Sequence, residues 1–331
     1  MKIRRYFSKR YRCRHTGLKN YNGTESQPFL FPAVLGAQDF CRILVSMRYP
    51  FVFYLLFIFF LITGNTNAGQ NSQTMNPEQT VCGLKEPLIF WLWSSQAGRP
   101  DQKRLRGLRN VEDISLTTRD GRTLRGYKLA AEGNTRNVPT VKTKGYLLVL
   151  HGNAILADQI LGEFSRYADA GYDVYIYDYR GYGRSEGKRR LKAMVGDYKE
   201  IFASLGSASY RERLVYAMSF GGILLLDALE PGLKLDRVVI DSSPARLSSY
   251  GCPTGYDPVN NLPVDCSNYL FIVGLKDHVV SPTMSRELVE KARKKGATIV
   301  TEIDFSHAFM DPDWSIHQRR MKLIADFLIQ K

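Results

Sequence analysis

Short apolar runs alternate with segments of helical periodicity along most of the chain. Residues 146–150 form a fully apolar run followed by turn residues, which is typical of a strand buried on both faces. Residues 191–205 instead repeat apolar side chains three and four positions apart, as in a helix packed on a core. The predicted strands are 111–117, 123–129, 146–150, 173–177, 214–217, 237–240, 269–273 and 298–303, and the predicted helices are 156–170, 191–205, 221–229, 285–295 and 316–329. This alternation predicts an α/β fold, with a mostly parallel central sheet and helices on both faces.

The first two predicted strands form a hairpin, because Asp120-Gly121 lies between two alternating segments. The stretch before them, residues 69–110, is polar and irregular except for an apolar run at 88–93. We therefore expect an N-terminal segment at 69–110 and one α/β domain at 111–331. In such a sheet, functional residues are expected to follow the carboxyl ends of the strands.

An uncharged apolar run at 51–62 precedes the predicted domain. Its length of about twelve residues suits the h-region of a signal peptide and is short for a helix that spans a bilayer. Arg48 precedes the run and the small residues Thr66 and Ala68 follow it, so residues 47–68 are predicted to be a signal peptide. The alternative is an uncleaved signal anchor, which would associate the chain with a membrane. Both alternatives export the domain, to the periplasm, to the medium or to the outer side of a membrane.

Basic residues are concentrated in front of this leader. Residues 1–48 hold ten of the 46 Lys and Arg residues against two acidic ones, and the remainder is only mildly basic. Since Met47 stands directly before the leader, we expect translation to start there, or residues 1–46 to be a long basic extension. The net charge of +14 comes with no helix-turn-helix, zinc-finger or RNA-binding signature. Nucleic acid is therefore not an expected partner.

Three of the five cysteines, Cys82, Cys252 and Cys266, follow the leader. Cys252 and Cys266 bracket a loop rich in Gly, Pro and Asn, and in an oxidising compartment they could close it with a disulfide. Two free thiols are an equal alternative, and in the disulfide reading Cys82 is unpaired. No spacing of Cys and His indicates a metal site.

Ser219 is the candidate nucleophile. It lies between a predicted strand at 214–217 and a predicted helix at 221–229, in a small-x-Ser-x-small string from Ala217 to Gly221. A tight strand-to-helix turn projects a serine hydroxyl from the edge of a sheet, and small residues two positions away prevent clashes there. The helix N-terminus stabilises developing negative charge. Taken alone, such a string more often marks a helix N-cap.

An acid and a histidine follow later strands, in the chain order that a Ser–acid–His triad uses on this architecture. Asp277 comes after the strand at 269–273, and His307 comes after the strand at 298–303. None of the other four histidines has a comparable position. We therefore expect His307 to be the base and Asp277 its partner, with Asp241 as the alternative acid.

The turn after the first predicted parallel strand, HGNA at 151–154, supplies a fourth element. The backbone amide of Asn153 or Ala154 is expected to pair with that of Phe220 as an oxyanion hole. A plain turn is the alternative. A site of this kind performs acyl transfer through an acyl-enzyme on Ser219 and needs no metal or organic cofactor.

Several segments together resemble a known family. They are HGNA at 151–154, YDYRGYGRSEG at 177–187, SFGG at 219–222, GLKD at 274–277 and the late His307. The set is similar to the Bem46-like α/β-hydrolases, which include mammalian ABHD-type proteins, and more broadly to serine aminopeptidase-like hydrolases. Over residues 111–331 the resemblance implies the α/β-hydrolase fold with Ser219, Asp277 and His307 as the triad. The chain departs from the family at Ala217, where glycine is usual, and in the cysteine-flanked loop.

The resemblance leaves the substrate open, since family members act on lipid esters and on protein thioesters. Between Asp241 and Tyr269 there are 27 residues, rich in turn formers, where many lipases insert a helical cap. We therefore expect a short or absent cap, an open site, and a small ester, an acyl-lipid or an acylated protein as substrate. A peptidase of the same fold is the alternative among enzymes, and a non-catalytic binding protein on this scaffold is the alternative outside them. The intact Ser/Asp/His set argues against the latter.

Overall fold

A sheet of eight strands lies at the centre of the computed structural model, which describes residues 76–132, 134–135, 138–139 and 143–329. The predicted extension at 1–46 and the predicted leader at 47–68 lie outside these residues. The strands are β1 (Val111–Thr117), β2 (Thr123–Leu129), β3 (Asn134–Thr135), β4 (Val138–Pro139), β5 (Gly145–Leu150), β6 (Tyr172–Tyr177), β7 (Glu212–Met218), β8 (Arg237–Asp241), β9 (Tyr269–Gly274) and β10 (Thr298–Glu302). Among the described residues, the short β3 and β4 pair only with each other.

The sheet has the order β1-β2-β6-β5-β7-β8-β9-β10. In the part of the sheet that runs β6-β5-β7-β8-β9-β10, neighbouring strands pair in parallel. At the other end, β1 and β2 form the predicted antiparallel hairpin, and β2 pairs antiparallel with β6. The mostly parallel sheet expected from the apolar runs is therefore confirmed. Because β5, β7, β8 and β9 are central and parallel, their carboxyl ends meet at one edge of the sheet.

Seven α-helices lie among the described residues. They are α1 (Glu86–Gln96), α2 (Ala157–Ile160), α3 (Ser165–Asp169), α4 (Leu191–Gly206), α5 (Phe220–Ala228), α6 (Pro282–Lys294) and α7 (Trp314–Ile329). Side chains of α1, α4, α5 and α6 belong to the apolar layer on one face of the sheet, and those of α2, α3 and α7 belong to the layer on the other. Alternate residues of β5 point into the two layers: Leu148 packs in the layer of α1, α4, α5 and α6, and Leu147 packs in the layer of α2, α3 and α7. Both leucines are fully buried.

Two segments differ from the sequence prediction. The helix predicted at 156–170 is broken into α2, a 3-10 turn at Leu161–Phe164, and α3. Its apolar residues are buried around most of its circumference and Gly162 weakens helix propensity at its centre, so packing rather than periodicity decides its backbone. The second difference is α1, which contains the apolar run at 88–93, a run to which the sequence pattern assigned no helix or strand. Its signal was Pro87 at the first turn, a position that proline favours.

The disulfide predicted between Cys252 and Cys266 is wrong. Cys252 is instead bonded to Cys82, with 4.0 Å between their Cα atoms, although 170 residues separate them in sequence. Cys266 is a free, fully buried thiol of the apolar core, and its Sγ lies 3.7 Å from the Pro263 carbonyl oxygen. Pairing across such a separation follows from docking of the α1 segment on the domain, which the local spacing of Cys252 and Cys266 does not reveal.

The segment between β8 and β9 contains only three short 3-10 turns, Ser248–Tyr250, Thr254–Tyr256 and Pro258–Asn260. The expectation of a short cap or none is therefore confirmed. In the described ranges, no helix combines the length and apolar character needed to cross a bilayer.

Candidate active site

Ser219 occupies a tight turn between β7 and α5. Its φ of 53° and ψ of −118° are a combination that non-glycine residues rarely adopt. The turn is fixed by β8 and its following residues, because the Ser219 N–H donates to the Asp241 carbonyl oxygen (2.8 Å) and the Ser243 hydroxyl donates to the Ser219 carbonyl oxygen (2.6 Å). Such strain costs about 1–3 kcal/mol and persists only where the surroundings hold it. This is the geometry of a nucleophile elbow.

Close packing explains the glycines that follow Ser219. A Cβ on Gly221 would lie 2.1 Å from the Leu150 carbonyl oxygen, and one on Gly222 would lie 2.2 Å from a hydroxyl oxygen after β8. Upstream, the methyl group of Ala217 is fully buried among apolar neighbours. The alanine that replaces the family's usual glycine therefore stands where the fold accommodates it, and the crowded positions are downstream.

Asp277 and His307, which follow β9 and β10, lie in contact. His307 Nδ1 is 2.8 Å from Asp277 Oδ2, and both side chains are buried. The other Asp277 oxygen accepts from the backbone N–H groups of Val279 (2.9 Å) and Val280 (2.8 Å). When Nδ1 donates to this carboxylate, Nε2 carries the lone pair and can accept a proton. No hydrogen bond joins Ser219 to His307 within residues 143–329, a bond that in enzymes without substrate is often long and tightens on binding.

Asp241, the alternative acid, has other partners. It is fully buried, its Oδ1 lies 2.8 Å from Arg320 Nη1, and its Oδ2 accepts from the Tyr216 hydroxyl (3.1 Å). A carboxylate neutralised in this way is not free to orient His307. The structure therefore pairs His307 with Asp277 and not with Asp241.

Arg320 ties the His307 loop to the sheet. Besides Asp241 it contacts Asp311, with Nε 2.8 Å from Oδ2, and it donates from Nη2 to the Ser306 carbonyl oxygen (2.6 Å). Its guanidinium also lies 4.3 Å from the Phe305 ring centroid. The arginine, itself fully buried on α7, thus links β8 with the residue that precedes His307. Sequence reasoning missed it, because a single arginine in a helical pattern carries no local signal of burial.

The HGNA turn faces the same edge. Ala154 has a positive φ of 60°, and its N–H already donates to Asn153 Oδ1 (3.2 Å). The backbone N–H groups of Asn153 and Phe220, in contrast, have no acceptor among the described residues. The Asn153 side chain is held by the Tyr182 hydroxyl, which donates to Oδ1 (2.5 Å). Of the two residues considered for the first oxyanion donor, the geometry favours Asn153.

His151 opens this turn and is fully buried. Its Nδ1 is 2.8 Å from the Gly152 carbonyl oxygen and its Nε2 is 3.1 Å from the Tyr177 carbonyl oxygen. Burial lowers the pKa of His151 to about 4, so the imidazole is neutral at physiological pH. His151 therefore connects the turn to β6 and is not a second base.

The fold and part of the sequence match known proteins. The esterase Pf2001 of Pyrococcus furiosus has the same fold with a TM-score of 0.54 at 18% identity, over 70% of this chain and 96% of that chain. The esterase EaEST of Exiguobacterium antarcticum gives a TM-score of 0.50 at 12% identity, over 66% and 99%. A sequence profile described as "Serine aminopeptidase, S33" matches residues 141–255, which include the HGNA turn and Ser219. The chain is a member of the α/β-hydrolase superfamily.

Curated relatives of this α/β-hydrolase span most of its length. The yeast protein named "Uncharacterized membrane protein YNL320W" (Saccharomyces cerevisiae) is 28% identical over 276 residues, covering 76% of this chain and 91% of its own. YfhR of Escherichia coli is 22% identical over 237 residues, covering 66% and 81%. The profile match supports a serine hydrolase as the broad class, and the Bem46-like resemblance stays a prediction.

The described residues of the α/β-hydrolase contain no group of three or more His, Cys, Asp or Glu side chains arranged to hold a metal ion. The groups that the structure brings to the carboxyl edge are a strained serine, a carboxylate-paired histidine, and two open backbone amides. All of them follow parallel strands of one sheet.

Proposed function

We propose that the chain is an exported serine hydrolase that cleaves a carboxylic ester or thioester through an acyl-enzyme on Ser219. One observation carries the proposal: a serine in a strained elbow after β7 shares the sheet edge with a buried His307–Asp277 pair. Backbone strain of this kind clusters at active sites, and the pair has the orientation that a general base requires.

In the proposed mechanism, His307 Nε2 takes the Ser219 hydroxyl proton as Oγ attacks the acyl carbonyl carbon. Asp277 accepts from Nδ1 and stabilises the imidazolium that forms. The amides of Asn153 and Phe220 would bind the oxyanion, with the N-terminus of α5 adding favourable charge. His307 then protonates the leaving alcohol or thiol, and water, deprotonated by His307, releases the acid from the acyl-enzyme.

The short segment between β8 and β9 supports an open site, and the candidate substrates are a small ester, an acyl-lipid or an acylated protein. The esterase names of the two solved structures agree with this reading, although at their identities they show the fold alone. A peptidase is the second candidate, favoured by the aminopeptidase description of the matching family profile.

Export rests on two supports. The Cys82–Cys252 disulfide suits an oxidising compartment, and the apolar run at 51–62 suits a signal peptide or a membrane anchor. The yeast relative is named as a membrane protein, which agrees with membrane association through that run.

A fluorophosphonate probe tests the nucleophile. We expect the wild type to be labelled, Ser219→Ala to lose the label, and Ser207→Ala, which changes an exposed helix-end serine, to keep it. Absence of label on folded wild type would establish the non-catalytic alternative. Hydrolysis of p-nitrophenyl esters set against aminoacyl amides then separates esterase from peptidase, and we expect the esters to be cleaved.

A further inference from the structure

Helix α1 presents an apolar face that the domain does not cover. Leu88, Trp91 and Leu92, spaced three and four residues apart, lie on one side of the helix and are 49%, 55% and 47% exposed. Leu84, one turn before Leu88, is 85% exposed. Single exposed apolar residues are ordinary, but a helical stripe of this kind marks an interaction surface.

The stripe belongs to a helix fixed at both ends. The buried Glu86 carboxylate accepts from the backbone N–H groups of Val81 (2.7 Å), Cys82 (2.8 Å) and Leu191 (2.9 Å). The Cys82 disulfide ties the same end to the domain. At the other end, the Gln159 side-chain amide donates to the Ala97 carbonyl oxygen (2.7 Å). The apolar face therefore cannot turn inward while these contacts persist.

Helix α1 also borders the nucleophile. Phe90, on its inner side, is buried and packs edge-to-face against Phe220, with 5.4 Å between the ring centroids. Phe220 is the residue directly after Ser219. Whatever covers the outer face of α1 therefore lies beside the catalytic edge.

The charges around the stripe indicate the partner. Residues 81–110 carry six cations and two carboxylates, and both carboxylates are engaged with backbone amides of this segment. Lys85 stands just before α1 and Arg99 just after it, and both are exposed without an ion-pair partner among the described residues. Tryptophan and leucine flanked by cations are the composition that enters the boundary between headgroups and acyl chains of an anionic lipid surface.

We propose that α1 is a lipid-docking helix, in which Leu84, Leu88, Trp91 and Leu92 insert into the surface of an anionic bilayer while Lys85 and Arg99 contact lipid phosphates. The surface is distinct from the apolar run at 51–62 and belongs to the same compact unit as Ser219. Docking would hold the edge that carries Ser219 close to the lipid. The inference concerns binding alone and stands whether or not Ser219 is catalytic.

Tryptophan quenching by brominated lipid tests the docking in the full-length chain. The chain has three tryptophans, Trp91, Trp93 and Trp314, so Trp93→Phe with Trp314→Phe leaves Trp91 as the only reporter. Replacing all three with phenylalanine and adding Val264→Trp makes the matched control. Val264 is 91% exposed and precedes β9, which places it at the opposite edge of the sheet.

Vesicles of phosphatidylcholine and phosphatidylglycerol, with or without dibrominated phosphatidylcholine, are mixed with each reporter chain. We expect the Trp91 emission to shift to shorter wavelength and to fall about twofold with brominated lipid, more weakly at high salt, and the control to be unchanged. Leu88→Ser with Leu92→Ser in the Trp91 reporter should abolish the quenching, and circular dichroism checks that the fold is retained.

Because each reporter reads its own position, insertion of the run at 51–62 cannot imitate this result. An unquenched Trp91 on a chain that floats with the vesicles would overturn the proposal, as would equal quenching of both reporters. A blue shift without lipid, accompanied by a dimer in sedimentation, would assign the face to a second copy of the chain instead.

Discussion

Removal of the Cys82–Cys252 disulfide should destabilise the domain as a whole. The bond closes a loop of 170 residues, for which the loop-closure entropy of the unfolded chain corresponds to about 5 kcal/mol at 25 °C. Measured effects are commonly smaller, so we expect a loss of about 2–5 kcal/mol in the free energy of unfolding. For a domain of this size, that loss lowers the midpoint of thermal unfolding by roughly 5–15 °C.

The assay compares urea unfolding of the wild type and of Cys82→Ser with Cys252→Ser, each with and without a phosphine reductant. We expect the reductant to lower the wild-type midpoint to that of the double variant and to leave the double variant unchanged. Cys266→Ala is the matched control: it removes a thiol without a bond, so its midpoint must still fall with reductant.

Two results would refute this reasoning. One is a wild-type midpoint that reductant does not change. The other is a peptide map of the oxidised protein in which Cys252 is linked to Cys266 rather than to Cys82.

Three further predictions concern the site and its support. Arg320→Met should lower the free energy of unfolding, measured in urea, by about 3–5 kcal/mol, because two buried carboxylates lose their counter-charge. A change below about 1 kcal/mol would contradict the linking role of Arg320. Gly221→Ala should reduce kcat about a hundredfold, since the added methyl group meets the Leu150 carbonyl oxygen. Gly196→Ala, which adds a methyl group in open space, should leave kcat unchanged. Equal kcat values for the two variants would argue against crowding at Gly221. Asp227 lies on α5, the helix that follows Ser219, and burial raises its pKa to about 7. The folded state therefore loses stability as pH rises from about 4 to 7. Asp227→Asn should stabilise by up to about 4 kcal/mol at pH 8 and not at all below pH 4, and the same gain in thermal melts at both pH values would exclude this cause.

The parallel sheet was predictable because its strands are buried on both faces. Apolar runs such as 146–150 leave little alternative to a central strand, and Asp120-Gly121 specifies the hairpin locally. The position of Ser219, Asp277 and His307 after β7, β9 and β10 was predictable for the same reason, since the ends of parallel strands converge at one edge.

What the sequence did not reveal depends on tertiary contact. Cys252 bonds to Cys82 because the segment that contains α1 packs on the domain, and the local spacing of the cysteines gives no sign of that packing. The buried role of Arg320 depends on two carboxylates distant in sequence, Asp241 and Asp311. The break at Leu161–Phe164 likewise reflects packing on both sides of a segment whose periodicity alone favours a continuous helix.

The link through Arg320 makes assembly of the site depend on the last helix of the domain. Until α7 docks, the carboxylate of Asp241 has no counter-charge and the loop before His307 has no tie to the sheet. In the proposed mechanism the base is oriented only once α7 has docked, so any truncation or fusion that displaces α7 should leave His307 misaligned.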